Sequence, residues 1–567
     1  MTPHLQAFVN LAIASITFLT LYALSLRFKI PQVITLLFLS LLPLYSLLNK
    51  GTFESGDLSI NVVKSMIFYK SLSEGNLIPR WAGDLNAKYG YPLFIFTYPL
   101  PYYTVSLFHG LGFSFISSVK ASMAAYFLLS GLAFYLFARH KFGNRVGLIS
   151  SIFYLFAPYH LINLHFRVAL GELAAFVFVP LSAFLAELVL EKRQAKYTLF
   201  LGISLAFLIL SHQAISLVSL PLLALYCFIK SRRFVILPFV LALSLSAYYW
   251  IPVIFESKYT HQPESAKTVA FWPLSSYFYS PWRYGWLFQG HFGELVFPIG
   301  YIHLPLIGIA SYLILKNKNR DTTFWLISFV LLFILMQKFS SPLWQAIPFL
   351  SNFQFSYRLM VILSFISALL VGHVFAAVRI PTSLQKALLF IVVITTVLNW
   401  SSRKFLPEVT DETLARYLPL ATAREEGFSP ASPTWTPKDN PWQFQIPLAP
   451  AEILEGIGTI IPLTRTSTSH TYDVIAQIPI KIKENTLYFP GWQLYVNDKP
   501  SPLPSPSPQS QGIVEFSINP GYHKIALKFV DTPVRLFAKT LSKLSLALVL
   551  LTLFHSSRLN LFSKNRD

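Results

Sequence analysis

Asp57 opens the first sizeable polar interval between long apolar runs, the stretch GDLSINVVKSMIFYKSLSEGNLIPRW from Gly56 to Trp81. From Asp57 to Lys70 the spacing predicts an amphipathic helix, with Ile60, Val63 and Ile67 on one face and Asp57, Asn61 and Lys64 on the other. Such a helix is expected to lie flat on a bilayer surface. Gly75 is placed to stop it, and Pro79 bars its continuation. Asp57 then has two readings: an N-cap or first-turn acid that favours the helix dipole, or a general base at the membrane's outer face. Asp84, in the turn-rich run AGDLNAKYGYP, is the fallback carboxylate.

The other ionisable candidates flank the membrane. In HLINLHFRVALGE a helical reading places His160, Asn163 and Arg167 on one stripe, with Glu172 just beyond and His165 off it. The stripe could be a cationic patch for a lipid-linked phosphate, because the fork of donors on Arg167 matches phosphate oxygens. It could equally be two residues snorkelling to head groups while Glu172 pairs with Arg167. His212, in Ser211-His212-Gln213 between two apolar runs, could bind substrate, relay a proton, or close the hairpin with a structural hydrogen bond. Arg80 and Lys88 are further phosphate candidates. Arg358 opens a span on the side where positive charge is disfavoured, which singles it out. Asp57, Asp84, Glu172 and His212 offer hard metal ligands without diagnostic spacing, so a divalent metal is possible but not indicated.

These residues must be positioned by a polytopic α-helical membrane protein. Of 567 residues 54% are hydrophobic and 12% charged, which excludes a soluble globular class. The 45 Lys+Arg exceed the 25 Asp+Glu, but they occur as short groups between apolar runs, the positive-inside pattern of membrane loops and not a nucleic-acid stripe. The single cysteine, Cys227, excludes a disulfide framework. The opening MTPHLQAFVN lacks a basic signal-peptide start and is read as a retained span. Apolar runs alternate with basic loops to give about 13 spans, provided that 99–116, short and interrupted by Pro99, Pro101 and His109, is re-entrant or interfacial.

That scheme puts every long polar interval outside. The expected organisation is a transmembrane domain over 1–400 with a catalytic first outer loop at 49–118, an extracytoplasmic β-rich domain over 401–534, and a final span with a basic cytoplasmic tail over 535–567. In the second unit DVIAQIPIKI, TLYFPGWQLYV, IVEFSI and HKIALKFV read as strands of a small β-sandwich, with turns at Asn497-Asp498 and Pro520-Gly521. SPLPSPSPQS, 501–510, is a loop between strands, and 401–450 is an irregular lead-in. The aromatics Phe271, Trp272, Tyr277, Tyr279, Trp282, Tyr284 and Trp286 of a third outer loop could stack on sugars or form an interfacial belt.

If the substrate is a sugar on a polyprenyl phosphate, inverting transfer needs one carboxylate to take the acceptor's proton. It also needs positive charge where the phosphate departs. GDL at 56–58, EGNLIPRW at 74–81, YGYPLFIFTYPLPYY at 89–103, APYHL at 157–161, Arg167 with Gly171-Glu172, SHQ at 211–213, FLSNFQFSYR at 349–358 and FPGWQLYVND at 489–498 resemble the bacterial membrane family labelled 6-pyruvoyl-tetrahydropterin-synthase-related. That family is similar to C-type (GT-C) glycosyltransferases. The resemblance implies a GT-C-like fold and Asp57 as the base. It implies a polyprenyl-phosphate sugar donor, a glycan, lipid or protein acceptor, and a site on the outer face of the cell membrane. It departs at Asp57, whose neighbours Gly56 and Leu58 replace the paired acidic motif common in such enzymes. The rival readings are a lipid or polysaccharide transporter and a non-catalytic scaffold for envelope assembly.

Overall fold

The computed structural model describes residues 3–27, 30–231, 235–265, 269–280, 294–347, 350, 353–400, 404–425, 429–437 and 446–564. Trp282, Tyr284, Trp286, Arg232, Arg233 and Arg566, and the side chains of Arg558 and Lys564, lie outside the described residues. Among those described, five helices are long and apolar enough to cross a membrane: Phe115–Phe142, Leu170–Lys192, Gln213–Ser231, Ser356–Ala377 and Pro533–Phe554. Three further pairs are bent, Asn144–Leu155 with Pro158–Arg167 by 48°, Leu237–Leu245 with Ala247–Tyr259 by 71°, and Arg320–Leu335 with Lys338–Ala346 by 86°. By length and composition this gives 5 candidate spans among the described residues, or up to 8 if each pair is one, which does not confirm the expected count of about thirteen. Other apolar runs form helices such as Ala195–Ser211 (17 residues) and Thr382–Ile394 (13 residues), shorter than the roughly 20 residues of a full crossing. Run 99–116 yields only Leu100–Gly110 before a turn at Gly112.

Ser356–Ala377 is the central helix: 89% of its apolar window is buried, against 17% for Pro533–Phe554 at the periphery. A helix apolar all round belongs in such a position.

The Leu58–Ser73 helix is packed inside the protein and not exposed along one face. It packs against Leu100–Gly110, Phe115–Phe142 and a helix at Asp411–Glu425, so Leu58, Val62, Val63, Ile67 and Phe68 are all buried. Its polar side, Asp57, Asn61 and Lys64, lines a cavity instead. The helix ends as expected: Gly75 has φ +90, its N–H reaches the Leu72 carbonyl at 3.0 Å, and that of Asn76 reaches Ser71 at 3.1 Å. This is a Schellman stop, with glycine at the left-handed position.

The part of the lead-in at 404–425 belongs to the helical body. Phe405–Leu406 pairs with Thr52–Phe53, and the Asp411 carboxylate accepts the N–H groups of Phe115 (2.6 Å) and Ile116 (3.0 Å), capping the long helix that starts there. Beyond it come two antiparallel sheets. One has five strands in the order Gly458–Arg465, Ser469–Ala476, Gly521–Phe529, Trp492–Val496, Lys499–Ser501; the other has three, Ala451–Glu455, Ile480–Leu487, Ile513–Ile518. Asn497 (φ +51) and Asp498 (φ +63) form the two-residue turn read from the sequence. The segment 502–510 carries no strand.

The loop 74–91 docks on these sheets. Trp81 packs edge-on to Trp492 (5.3 Å between centroids) and against Phe529 (5.1 Å). The Tyr89 carbonyl accepts from the Leu487 N–H and the Thr486 hydroxyl, both at 3.0 Å. Glu74 accepts the Ser467 N–H at 2.8 Å.

Candidate active site

The cavity has a volume of about 560 Å³ and draws its lining from distant parts of the chain, including Asp57, Lys64, Tyr98, Arg167, His212 and Arg358. Its geometry starts with a backbone crossing. The Gly56 N–H donates to the Phe166 carbonyl at 2.7 Å and the Asp57 N–H to the Arg167 carbonyl at 2.9 Å. A Cβ at position 56 would stand 3.2 Å from that carbonyl oxygen, so glycine permits the approach. Asp57 occupies the N-cap position of its helix, but its carboxylate does not cap it. Ser55 does so, accepting the Leu58 N–H at 3.1 Å. Asn61 ties the same helix to the Val168 carbonyl at 2.9 Å.

Arg167 ends a bulged helical segment. Residues Asn163–Arg167 form a π-turn, and Val168 follows in the left-handed region at φ +54. This conformation costs a β-branched residue roughly 1–2 kcal/mol and is typical of sites where function holds the backbone in place. The wider turn changes the stripe read from the sequence: Arg167 lies over Tyr159 and Asn163, and His160 is off it. Arg167 Nη1 donates to the Tyr159 hydroxyl, to Asn163 Oδ1 and to Glu172 Oε2, each at 2.7 Å. Its other nitrogens donate to none of the described residues. Glu172 Oε2 also accepts from Tyr159 (2.6 Å) and Asn163 (3.2 Å). The carboxylate is fully buried and therefore acts from behind the wall, fixing Arg167 and offsetting its charge.

Arg358 is the second guanidinium. Its Nη1 donates to the Phe353 carbonyl at 2.7 Å, and its Nε lies 3.5 Å from Glu172 Oε1. One buried carboxylate thus serves two arginines. Tyr357 lies under Arg167, 4.9 Å from ring centroid to guanidinium carbon. His212 stacks on Tyr98 at 5.0 Å, and Gly171 makes room for this pair: a Cβ there would meet the Tyr98 ring at 2.4 Å. Burial pushes the Tyr98 phenol up to about 12 against the pull of Arg358, while Asp57 and Glu172 add to the rise and Arg167 opposes it. It stays a neutral hydroxyl among these charges.

The remaining candidates lie elsewhere. Asp84 pairs with Lys70 at 2.7 Å on the outside of the docking loop. Arg80 pairs with Asp531 at 3.1 Å, where the sheets join the last helix, and the Lys88 carbonyl faces Arg465 at 3.5 Å. His160 is buried in the core, stacked on Phe176 at 4.0 Å. None of these four lines the cavity: docking on the sheets turns loop 74–91, with Arg80, Asp84 and Lys88, away from it, and His160 faces the helical core. Conversely, Tyr98, Tyr102, Tyr357, Gln213, Gln262 and Gln354 line the cavity without a sequence signal. The one available clue was the spacing of Tyr159, Asn163 and Arg167 at i, i+4, i+8. Among the described residues no three of His, Cys, Asp and Glu converge as a metal site.

A family model described as dolichyl-phosphate-mannose-protein mannosyltransferase matches residues 97–255, a stretch that holds Tyr98, Arg167, Glu172 and His212. The pterin-synthase-related family is not among the matches found. An uncharacterised protein of Lactococcus lactis subsp. cremoris (strain MG1363) is 25% identical over 328 residues, 54% of this chain and 53% of its own length. The chain thus spans about half of that relative. Among solved structures, the apo oligosaccharyltransferase of Archaeoglobus fulgidus aligns with a TM-score of 0.43 at 13% identity, over 66% of this chain and 56% of that one. A mycobacterial arabinofuranosyltransferase aligns at 0.41 and 13%, over 65% and 26%. In its 97–255 segment, the part that carries one of the two cavity arginines and the carboxylate behind it, this chain is similar to dolichyl-phosphate-mannose-protein mannosyltransferases.

Proposed function

We propose that the protein is a membrane glycosyltransferase that moves a sugar from a polyprenyl-phosphate donor to an extracytoplasmic acceptor with inversion at the anomeric carbon. The observation that carries this reading is the shared cavity of Asp57, Arg167 and Arg358, with Arg167 and Arg358 both held by buried Glu172. The Asp57 carboxylate takes the proton from the acceptor hydroxyl as its oxygen bonds to the sugar carbon. The carbon–oxygen bond to phosphate breaks, and the two guanidiniums receive the charge left on the phosphate. His212, Tyr98 and the amides of Gln213, Gln262 and Gln354 supply donors and acceptors for sugar hydroxyls.

Charge supports the proposed sidedness. Lys141, Glu187, Lys230 and Asp321 form one ion-paired cluster, and the loops around it are basic. Glu187 lies four turns along its helix from Glu172, about 22 Å at 1.5 Å per residue, so cavity and basic end are separated by most of a bilayer core. In this reading, which the positive-inside rule supports, the basic end is cytoplasmic and the cavity is outside. Residues 429–431, which line the cavity, provide a surface for the acceptor.

The test is transfer by protein reconstituted in vesicles with a panel of polyprenyl-phosphate sugars. Asp57→Asn is expected to lower turnover by about a hundredfold or more while donor binding persists. Unchanged turnover in that variant overturns the assignment of the base.

A further inference from the structure

At the basic end, an apolar trough of about 830 Å³ runs between the Gln213–Ser231 helix and the hairpin of His303–Asn317 with Arg320–Leu335. Its walls include Leu225, Leu315, Ile327 and Leu331, all exposed, and Lys318 and Arg320 stand at its mouth. A trough of this size lies within the range of pockets that hold a small ligand, about 300–1,000 Å³.

The charge at the mouth is not balanced from within. The neighbouring acids are already committed: Asp321 lies 3.3 Å from Lys230 and 3.6 Å from Lys141, and Glu187 pairs with the same two lysines. That cluster holds two cations and two anions, whereas Lys318 and Arg320 form no ion pair among the described residues. Lys318 is also held in the left-handed region, φ +50, as the C-cap of its helix, which fixes the hairpin turn that carries both charges.

We propose that this trough binds one anionic phospholipid of the bilayer, its acyl chains between the helices and its phosphate on Lys318 and Arg320. Apolar walls open to the hydrocarbon suit an acyl chain, and unpaired cations at the rim suit an anionic head group over a zwitterionic one. The site is separate from the transferase cavity and does not rest on the proposed reaction.

Native mass spectrometry of the delipidated full chain, with phosphatidylglycerol or phosphatidylcholine added at equal concentration, tests the proposal. The wild type is expected to retain one phosphatidylglycerol in preference to phosphatidylcholine. The double variant K318Q/R320Q should hold that lipid about tenfold less well, and raised salt should weaken it in the wild type. Ile327→Trp, which fills the trough and keeps the charges, should lose it too, while both variants elute and melt like the wild type. Equal retention of the two lipids, or phosphatidylglycerol retained by both variants as by the wild type, overturns the proposal. So does a dimer in place of the lipid-bound monomer, which would mean that a second copy covers the trough.

Discussion

Replacing Glu172 by Gln keeps the shape of the side chain and removes its charge, and two opposite effects follow. Glu172 is fully buried and Arg167 is 10% exposed, so neutralising the carboxylate leaves two guanidiniums beside the cavity without their shared counter-ion. Breaking a buried ion pair costs about 3–5 kcal/mol. The retained carbonyl can still accept from Arg167 and Tyr159, and Arg167 borders an open cavity, so the lower end, about 3 kcal/mol, is expected. The substrate-free variant should therefore melt well below the wild type in detergent, followed by tryptophan fluorescence. A bound phosphate would then be the counter-ion for both arginines. A polyprenyl phosphate at a hundred times its dissociation constant stabilises by about 2.7 kcal/mol, and the stabilisation at a given concentration should be larger in Glu172→Gln than in the wild type. The reasoning is refuted if the variant melts like the wild type, or if the lipid phosphate stabilises it no more than it stabilises the wild type.

Gly56→Ala puts a methyl 3.2 Å from the Arg167 carbonyl, so turnover should fall severalfold through displacement of Asp57 while the melting temperature changes little; paired kinetic and melting measurements check this. Arg80→Gln removes a partner of Asp531 and not a cavity residue, so it should lower stability while donor affinity, measured by titration, stays at the wild-type value. Glu484 is fully buried, which raises its carboxyl pKa, but His470 and Arg465 hold it below the ordinary carboxylate value. The stability it contributes is therefore present above about pH 4.5 and is lost as the pH falls from there through the lower folded value. Acid melts should show this loss, and Glu484→Gln should flatten it.

Most of the charged part of the cavity, Lys64 excepted, was legible in the sequence because an ionisable residue beside a membrane span is costly and stands out among apolar runs. Asp57, Arg167, His212 and Arg358 were found in this way, and so was Glu172. Neutral lining residues gave no such signal: Tyr98, Tyr357 and Gln354 look like any interfacial aromatic or amide. The stripe through Arg167 was misread because a π-turn at 163–167 changes the helical register. Asp84, Arg80 and Lys88 were legible as charged residues of the right loop, but their partners are Lys70, Asp531 and the strand bearing Arg465. Docking between residue 81 and residues near 492 and 529 has no local pattern to betray it. The same limit applies to the span whose kink at residue 246 divides a run that hydropathy alone reads as continuous.

The most direct test of the central claim is a structure of the protein with a polyprenyl phosphate bound. The account expects the phosphate in the cavity, within hydrogen-bonding distance of both Arg167 and Arg358, with the Asp57 carboxylate facing the open space on the acceptor side. A phosphate bound outside the cavity, or one held by neither arginine, would contradict it.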